Sequence, residues 1–385
     1  MNDKKSILIY QMAVLLICST MGSAIVYIPN PISYVAGNAA WISLAFAYAF
    51  GMLVLACVLF LHRAYDGRGL LEMSRLLFGK TAAVLIAVLF ILMLLFAIPA
   101  IVVGINSFFT TIMMKETPSF VFSFLTFFTV AFTVGKGLQV IARMFVLLLV
   151  MLIAVTLVIL ILAIPLYKVK YALPVMPNGV MPVLIGLFTS GGFPYGEIVF
   201  FTILLPFSSR HEEGSLSKNM YLSLSVTGIM LVLSSLCTLM VFGPATGIYK
   251  FSLYILASEI RVADIIERIE SIIGIVLIIG SYMKATIYLF MLNQLFVQLL
   301  KLKNDRLLLT PLTGVCVLLS LTMFKGDSDF SQQVYVIWPL FVLTVGCLIV
   351  FTMTLLTFLR KGIKNDEDDN GRDPRIESDV QASGG

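Results

Sequence analysis

Long apolar runs dominate this 385-residue chain and constrain its fold more than any other feature. A helix needs about 20 consecutive apolar residues to cross the hydrocarbon core of a bilayer. Hydrophobic residues make up 59% of the chain, charged residues make up 12%, and the mean hydropathy is +1.02. Soluble domains carry about 25% charged residues. The sequence therefore predicts an all-α integral membrane protein.

Ten of the apolar runs have the length of a membrane span. They lie at residues 6–33, 41–61, 81–113, 118–134, 144–166, 182–206, 220–242, 270–299, 306–324 and 334–359, and are called spans 1 to 10. Together they predict a ten-helix membrane domain at 6–360, between a short cytoplasmic N-terminus at 1–5 and a cytoplasmic tail at 361–385. The polar and acidic composition of the tail predicts disorder. The five cysteines lie in apolar runs without metal-ligand spacing, so we expect no metal and no cofactor.

Basic residues predict the orientation of the chain in the membrane. With the N-terminus inside, the inner connections carry more than twice as many lysines and arginines as the outer ones. Cytoplasmic connections carry this excess in membrane proteins, so both termini are predicted to be cytoplasmic. Trp41 and Trp338 lie near span starts on the outer side and are interpreted as interfacial anchors.

Span 6 is interrupted at residues 189–197, which include three glycines, a proline and a carboxylate. A helix break in a membrane survives only where protein or a water-filled cavity satisfies the freed backbone groups. Broken helices near the middle of the membrane form substrate sites in many secondary transporters. The sequence therefore predicts that something is bound or moved at this break.

The order of features repeats after five spans. Span 1 contains Gly22 and Ser23 and then two prolines, and so has an interruption at the position that matches the break in span 6. Spans 3 and 8 are long, and each follows a short amphipathic stretch, at 69–77 and 257–266. Five spans followed by five of opposite orientation predict an inverted repeat with a site at its interface. The alternative is ten unrelated helices and a chance cluster of glycines.

The ten-span plan, the early interruption of span 1 and the break in span 6 resemble the B subunit of spore germinant receptors. The motif that carries the resemblance is a Gly-Gly pair followed by Phe193, Pro194, Tyr195, Gly196 and Glu197. This family belongs to the amino acid, polyamine and organocation transporter superfamily. The resemblance implies a leucine-transporter-like fold of five plus five helices with helices 1 and 6 broken. It also implies the inner membrane of a bacterial endospore, and two partners, a membrane-embedded A subunit and a lipoprotein C subunit.

In such a fold the ends of the broken helices surround a ligand, and free N–H groups there suit the carboxylate of an amino acid. The ligand-binding residues that we expect are Thr20, Gly22 and Ser23 in span 1, and Thr189, Ser190, Gly191, Gly192, Phe193, Tyr195 and Glu197 in span 6. Small residues leave room for the ligand, and Gly192→Leu is then expected to fill that room without disturbing the fold. The alternative is that the small residues mediate close helix packing.

Two ionisable residues, Glu197 and Lys284, lie deep within apolar spans. Burying an ionisable residue in a membrane costs free energy, so such residues are functional candidates and are expected to have a partner. Glu197 follows the break, where it suits either the first turn of a half-helix or the binding of a ligand amine or a proton. For Lys284 three alternatives are open: an ammonium that replaces a bound cation between spans 8 and 1, a structural pair with Glu197 or with backbone carbonyls, or a position near water.

Two classes of function remain. The first is a nutrient sensor, a germinant receptor subunit that binds an amino acid and signals germination to its partners. The second is a stand-alone proton-coupled amino acid transporter. The sequence shows no phosphate-binding loop, catalytic triad or metal cluster, so we expect no enzyme and no nucleic-acid partner, with membrane lipid and a small nutrient as the remaining contacts.

The predicted topology can be tested by cysteine labelling in a variant that lacks the five native cysteines. Ser215→Cys should react with a membrane-impermeant maleimide only from the cytoplasmic side, and Asp327→Cys only from the outer side, because of the asymmetry of basic residues. The opposite pattern of labelling would contradict both the topology and the inverted repeat.

Overall fold

The computed structural model describes residues 6–177, 179–209, 213–260 and 270–370. The predicted N-terminal segment 1–5, the end of the predicted tail at 371–385 and most of the second amphipathic stretch lie outside these residues. Nearly all regular structure in the described part is helical, and an isolated β-bridge joins Ile7 to Ser208.

All ten predicted spans are helical. Their main segments are Ile9–Thr20 and Ala24–Tyr27 for span 1, Ala40–Ala64 for span 2, Leu70–Phe108 for span 3, Ser119–Lys136 for span 4, Leu138–Leu162 for span 5, Met181–Phe207 for span 6, Glu213–Phe242 for span 7, Glu270–Leu300 for span 8, Leu309–Thr322 for span 9 and Asp327–Arg360 for span 10. Nine segments among the described residues are long and apolar enough to cross a membrane, and span 9 is a shorter apolar helix.

Several span boundaries differ from the sequence prediction, and those of span 3 and of the last helix differ most. Span 3 begins at Leu70, because the amphipathic stretch before it is helical and joins it through Gly79. Gly79 has φ 85°, a conformation that L side chains rarely adopt, and so it bends the chain between the two parts. The last helix, Leu348–Asn370, extends beyond residue 360, so the start of the predicted tail is helical.

The two interrupted spans and span 8 form the centre of the molecule. Spans 1, 6 and 8 bury 89%, 78% and 72% of the residues in their most apolar windows, whereas spans 4 and 5 bury 33% each. Spans 4 and 5 expose large apolar side chains such as Phe128 and Leu147, as expected for lipid-facing helices. Any site built on spans 1, 6 and 8 is therefore enclosed by protein.

Spans 1 and 8 touch through their backbones. A Cβ atom added to Gly280 would lie 2.3 Å from the carbonyl oxygen of Gly22, and one added to Gly22 would lie 2.6 Å from the carbonyl oxygen of Gly280. Small residues allow this close approach of helices in membranes. The pair fixes span 8 against the interruption of span 1.

Gly280→Ala should therefore destabilise the protein, because the added methyl group meets backbone atoms that have no rotamer to change. We expect a loss of about 1–3 kcal/mol in the free energy of unfolding, seen as a lower melting temperature of the purified protein in detergent. Gly314→Ala is the matched control, since a Cβ at this helical glycine meets nothing within 4 Å and alanine favours a helix. Equal melting temperatures for the two variants would contradict the contact.

Candidate functional site

Span 6 is broken where the sequence predicts. Its first helix, Met181–Ser190, ends at the glycine pair, and Phe193 leaves the helical conformation with φ −128° and ψ 114°. Pro194 has no N–H to continue the helical hydrogen bonds. The chain then resumes as a short 3-10 turn, Gly196–Phe200, which begins next to Glu197. The break thus places one carboxylate at the start of the second half of span 6.

Span 1 is interrupted more weakly. Its helix ends at Thr20, and the turn residues 21–23 separate it from Ala24–Tyr27. The hydroxyl of Thr20 donates to the carbonyl oxygen of Leu16 at 2.7 Å and lies 3.1 Å from the hydroxyl of Thr227 in span 7. The Thr20 hydroxyl therefore has its hydrogen-bond partners within the protein.

The carboxylate of Glu197 accepts three hydrogen bonds from two other spans. Lys284 Nζ and Tyr288 Oη in span 8 donate to Oε2 at 2.5 and 2.8 Å. Trp338 Nε1 in span 10 donates to Oε1 at 2.8 Å. The side chains of Glu197 and Lys284 are 3% and 1% exposed. Charge-assisted hydrogen bonds of this kind are stronger than neutral ones, so this buried ion pair joins spans 6, 8 and 10.

Aromatic rings surround the ion pair. Lys284 Nζ lies 4.3 Å from the centre of the Phe193 ring and 5.4 Å from that of Tyr288. The Trp338 ring stacks on Phe96 of span 3 with 5.1 Å between ring centres. A desolvated ammonium gains attraction from the faces of such rings. Phe193, which leaves the helical conformation at the break, therefore also contacts the lysine.

This geometry bears on two interpretations of the sequence. Of the three alternatives for Lys284, the structure shows the pair with Glu197 and buries the ammonium away from bulk solvent. The interpretation of Trp338 as an interfacial anchor is wrong, because its indole is buried and donates to Glu197.

A small cavity of about 40 Å³ lies beside Glu197, between spans 1, 3, 6 and 10. Its wall contains Ser23, Tyr27, Phe96, Ala97, Ala100, Ile101, Gly104, Phe193, Glu197, Phe330, Val334, Tyr335 and Trp338. This volume holds about two or three water molecules, whereas sites for small ligands measure about 300 Å³ or more. An amino acid therefore fits here only when the surrounding spans move apart.

Three of the expected ligand-binding residues, Ser23, Phe193 and Glu197, line this cavity. The other expected residues pack against protein instead: Thr20 against Thr227, Gly22 against Gly280, Gly191 against Phe50, Gly192 against Pro339 and Tyr195 against Gly51, while Thr189 is buried and Ser190 donates to the carbonyl of Gly186. The packing alternative thus describes the glycines in this conformation. The expectation for Gly192→Leu is wrong, because a Cβ at Gly192 would lie 2.2 Å from Pro339 Cα.

Several residues of the cavity wall and of the Glu197 cluster were not predicted from the sequence as site residues. Tyr27 is the most informative, because this residue lines the cavity and its hydroxyl is buried without a hydrogen-bond partner among the described residues. Gly104 of span 3 makes room for this ring, since a Cβ there would lie 2.9 Å from Tyr27 Oη. Hydrogen-bonding capacity alone indicated that Glu197 needs donors such as Tyr288 and Trp338, because a buried carboxylate accepts more hydrogen bonds than one lysine supplies.

Contacts join spans on both sides of the cavity. On the predicted outer side, Lys250 Nζ lies 2.9 Å from Asp327 Oδ1 at the start of span 10 and donates to Ser107 Oγ of span 3 at 2.6 Å. On the predicted inner side, Ile7 N donates to the carbonyl of Phe207 at 2.9 Å, so the start of span 1 pairs with the end of span 6. These contacts thus hold spans together on the outer and inner sides of the cavity.

Removing one partner of the buried pair should destabilise the protein. Lys284→Met leaves the Glu197 carboxylate buried without its cation, and breaking such a pair costs about 3–5 kcal/mol. The double variant Lys284→Met with Glu197→Gln should recover most of this loss, because no buried charge remains. The measurement is thermal unfolding of the purified variants.

Lys250→Met is the matched control. It removes a lysine from a pair whose side chains are 28% and 65% exposed, and exposed pairs contribute about 0–1 kcal/mol. If Lys284→Met melts at the wild-type temperature, or if the double variant is no more stable than the single one, the ion pair does not hold the spans together.

Comparison with known proteins gives a family and a fold. A family model described as Spore germination protein matches residues 6–331. Spore germination protein KB of Bacillus subtilis (strain 168) is 25% identical over 347 residues, which are 88% of this chain and 91% of that protein. The family model match includes both broken spans, Glu197 and Lys284.

Two solved transporter structures share the fold. A Na⁺-coupled sialic acid symporter in a substrate-bound outward-open state aligns with a TM-score of 0.65 and 14% identity, over 92% of this chain and 78% of the symporter. Mhp1, a nucleobase-cation-symport-1 family transporter in a closed conformation, aligns with a TM-score of 0.66 and 12% identity, over 91% and 78%.

At these identities the likeness concerns the fold alone, and it confirms the predicted leucine-transporter-like architecture. The family match identifies the family of the chain and supports a germinant receptor or permease-like role in the membrane. The chain belongs to the spore germination protein family, that of the germinant receptor B subunits.

Proposed function

We propose that this protein is the nutrient-sensing subunit of a spore germinant receptor, which binds an amino acid in the cavity beside Glu197 and signals germination. The observation that carries this proposal is the double role of Glu197. Its side chain lines the cavity and also accepts the hydrogen bonds that join span 6 to spans 8 and 10. A ligand that contacts Glu197 therefore acts directly on the packing of three spans.

The charges of the site suit a zwitterion. The ion pair of Glu197 and Lys284 is neutral overall, and an amino acid also has no net charge, so binding leaves no uncompensated charge in the apolar interior. Ser23 and the unpartnered Tyr27 hydroxyl offer hydrogen bonds to the ligand. Ala97 and Ala100 offer space for a small side chain.

Signalling then follows from competition for one carboxylate. A ligand ammonium that reaches Glu197 replaces part of its interaction with Lys284 and favours an arrangement in which span 8 is less tightly held. A ligand shifts an equilibrium only by its difference in affinity for the two states. The state with the lysine displaced binds the ligand better, so the nutrient increases its population. No enzymatic activity is part of this proposal.

The contact of Lys250 with Asp327 and Ser107 supports an entrance on the outer side. It joins span 3, the connection before span 8 and the start of span 10 directly above the cavity residue Phe330. Opening it frees the start of span 10 from span 3, and these two spans supply most of the cavity wall. A nutrient that arrives from outside the spore membrane enters by this route.

The proposal includes a location and partners. It places the protein in the inner membrane of the endospore with both termini in the cytoplasm, and it assigns an A subunit and a lipoprotein C subunit as the receivers of the signal. The membership in the germination protein family supports this assignment. Copurification of tagged protein from spore membranes tests it.

The alternative is a stand-alone proton-coupled amino acid transporter. The transporter fold favours it, together with a buried carboxylate that could carry a proton. The discriminating experiment places the purified chain alone in liposomes with a pH gradient and radiolabelled amino acids. Uptake by the chain alone supports the carrier. Absence of uptake, with a nutrient response only when the A and C subunits are present, supports the sensor.

Filling the cavity should weaken the nutrient response. Ala100→Val adds two methyl groups to the cavity wall, and a mismatch of this size in a pocket changes affinity by about tenfold or more. The amino acid concentration that gives half-maximal germination should rise by at least about tenfold. Germination of spores that carry this receptor as their only one is the measurement.

Ala82→Val is the matched control, since Ala82 lies in the same helix of span 3 but is not part of the cavity wall. Immunoblots must show wild-type amounts of both variants in spores. If Ala100→Val spores respond to every amino acid as Ala82→Val spores do, the ligand binds elsewhere.

A further inference from the structure

A second cavity, of about 480 Å³, opens at the end of the molecule that the topology places in the cytoplasm. It lies between the turn that joins spans 4 and 5, the end of span 8 and the connection to span 9. Its volume is within the range of about 300–1,000 Å³ that is typical of ligand sites. The function proposed above makes no use of it.

The rim of this cavity is basic. Lys136 lies at the end of span 4, and Lys303 and Arg306 lie in the connection between spans 8 and 9. All three side chains are exposed, and Asp305 is the one acidic residue in the lining. Basic pockets between helices at the cytoplasmic membrane surface suit the phosphate of a lipid headgroup.

The floor of the cavity is polar and incompletely bonded. Asn293 is 3% exposed, and its Nδ2 donates to the carbonyl of Asp305 at 2.7 Å. Its Oδ1 is buried without a hydrogen-bond partner among the described residues. The neighbouring Gln294 is also buried and lines the cavity. A buried acceptor without a donor is costly, so the floor suits a ligand that carries hydroxyl groups.

The sides of the cavity continue into the lipid-facing surface. Phe207, Phe290 and Leu309 contribute apolar lining. Val140 is part of the wall and is 49% exposed, and Leu147, about two turns further along span 5, is 74% exposed. A ligand whose polar part enters the cavity can therefore lay a hydrocarbon chain along span 5. A soluble phosphate would leave this apolar path unused.

We propose that this cavity binds the headgroup of an anionic phospholipid from the inner leaflet, with its phosphate among the basic rim residues and its hydroxyl groups at Asn293 and Gln294. Phosphatidylglycerol has this combination of one phosphodiester and two free hydroxyls. The bound lipid also lies near the contact between Ile7 and Phe207 on the predicted inner side. Gln139 of the cavity wall donates to the carbonyl of Ser6, at the start of span 1, at 3.0 Å.

The test measures the lipid retained by the full-length protein, purified in a mild detergent and examined by native mass spectrometry with added dioleoyl phosphatidylglycerol or dioleoyl phosphatidylcholine. The wild type should retain one phosphatidylglycerol in preference to phosphatidylcholine. Lys303→Glu with Arg306→Glu should reduce the affinity for phosphatidylglycerol by at least about tenfold, since each basic residue near an anionic lipid contributes a factor of roughly five. If this variant does not fold, Lys303→Gln with Arg306→Gln removes the same charges without reversing them.

Lys80→Glu with Lys218→Glu is the matched control, because both lysines are exposed on the predicted inner side and neither lines the cavity. It should retain phosphatidylglycerol as the wild type does. Equal retention by the control and by the rim variant would overturn the proposal.

Two further experiments test the role of the cavity floor and whether the bound phosphate belongs to a lipid. Gln294→Leu should reduce the preference for phosphatidylglycerol over phosphatidic acid, which lacks the headgroup hydroxyls, and should leave phosphatidic acid binding unchanged. An unchanged preference would overturn the assignment of the floor. Glycerol phosphate without acyl chains should not displace the lipid at equal concentration. Displacement would assign the cavity to a soluble phosphate and overturn the lipid proposal.

Discussion

The buried carboxylate of Glu197 is the interaction on which the centre of the molecule depends. It accepts hydrogen bonds from Lys284 and Tyr288 of span 8 and from Trp338 of span 10, while its own span is broken just before it. In an apolar interior, an ionised group is stable only when such partners satisfy it. Loss of any partner therefore changes how spans 6, 8 and 10 pack, and this sensitivity makes the cluster suited to signalling.

The same arrangement explains why the cavity is small. Phe193, Glu197 and Trp338 form one wall of it, so the bonds that stabilise the cluster also hold this wall in place. The contacts of Lys250 with Asp327 on the predicted outer side and of Ile7 with Phe207 on the predicted inner side hold neighbouring spans together. In the proposed mechanism, a ligand replaces interactions within this set, so that access and signalling involve the same spans.

The sequence predicted the elements better than their contacts. Apolar length predicted all ten spans, and the glycines and Pro194 predicted the break in span 6, because these features depend on neighbouring residues alone. Glu197 and Lys284 stood out because charges are rare in spans, but they are 87 residues apart, and Trp338 is 141 residues from Glu197. Such pairings depend on helix packing. The sequence left two roles open for Gly192, because small residues occur both at cavities and at helix contacts, and the structure shows the contact.

The most direct measurement uses Trp338, one of only two tryptophans in the chain. In a Trp41→Phe variant, the fluorescence of the purified protein reports on Trp338, whose indole donates to Glu197 and lines the cavity. The account predicts a saturable change in its emission when a germinating amino acid is added, and no such change in the same variant with Ala100→Val at those concentrations. Emission that stays constant at amino acid concentrations that trigger germination would contradict the claim that the nutrient acts at Glu197.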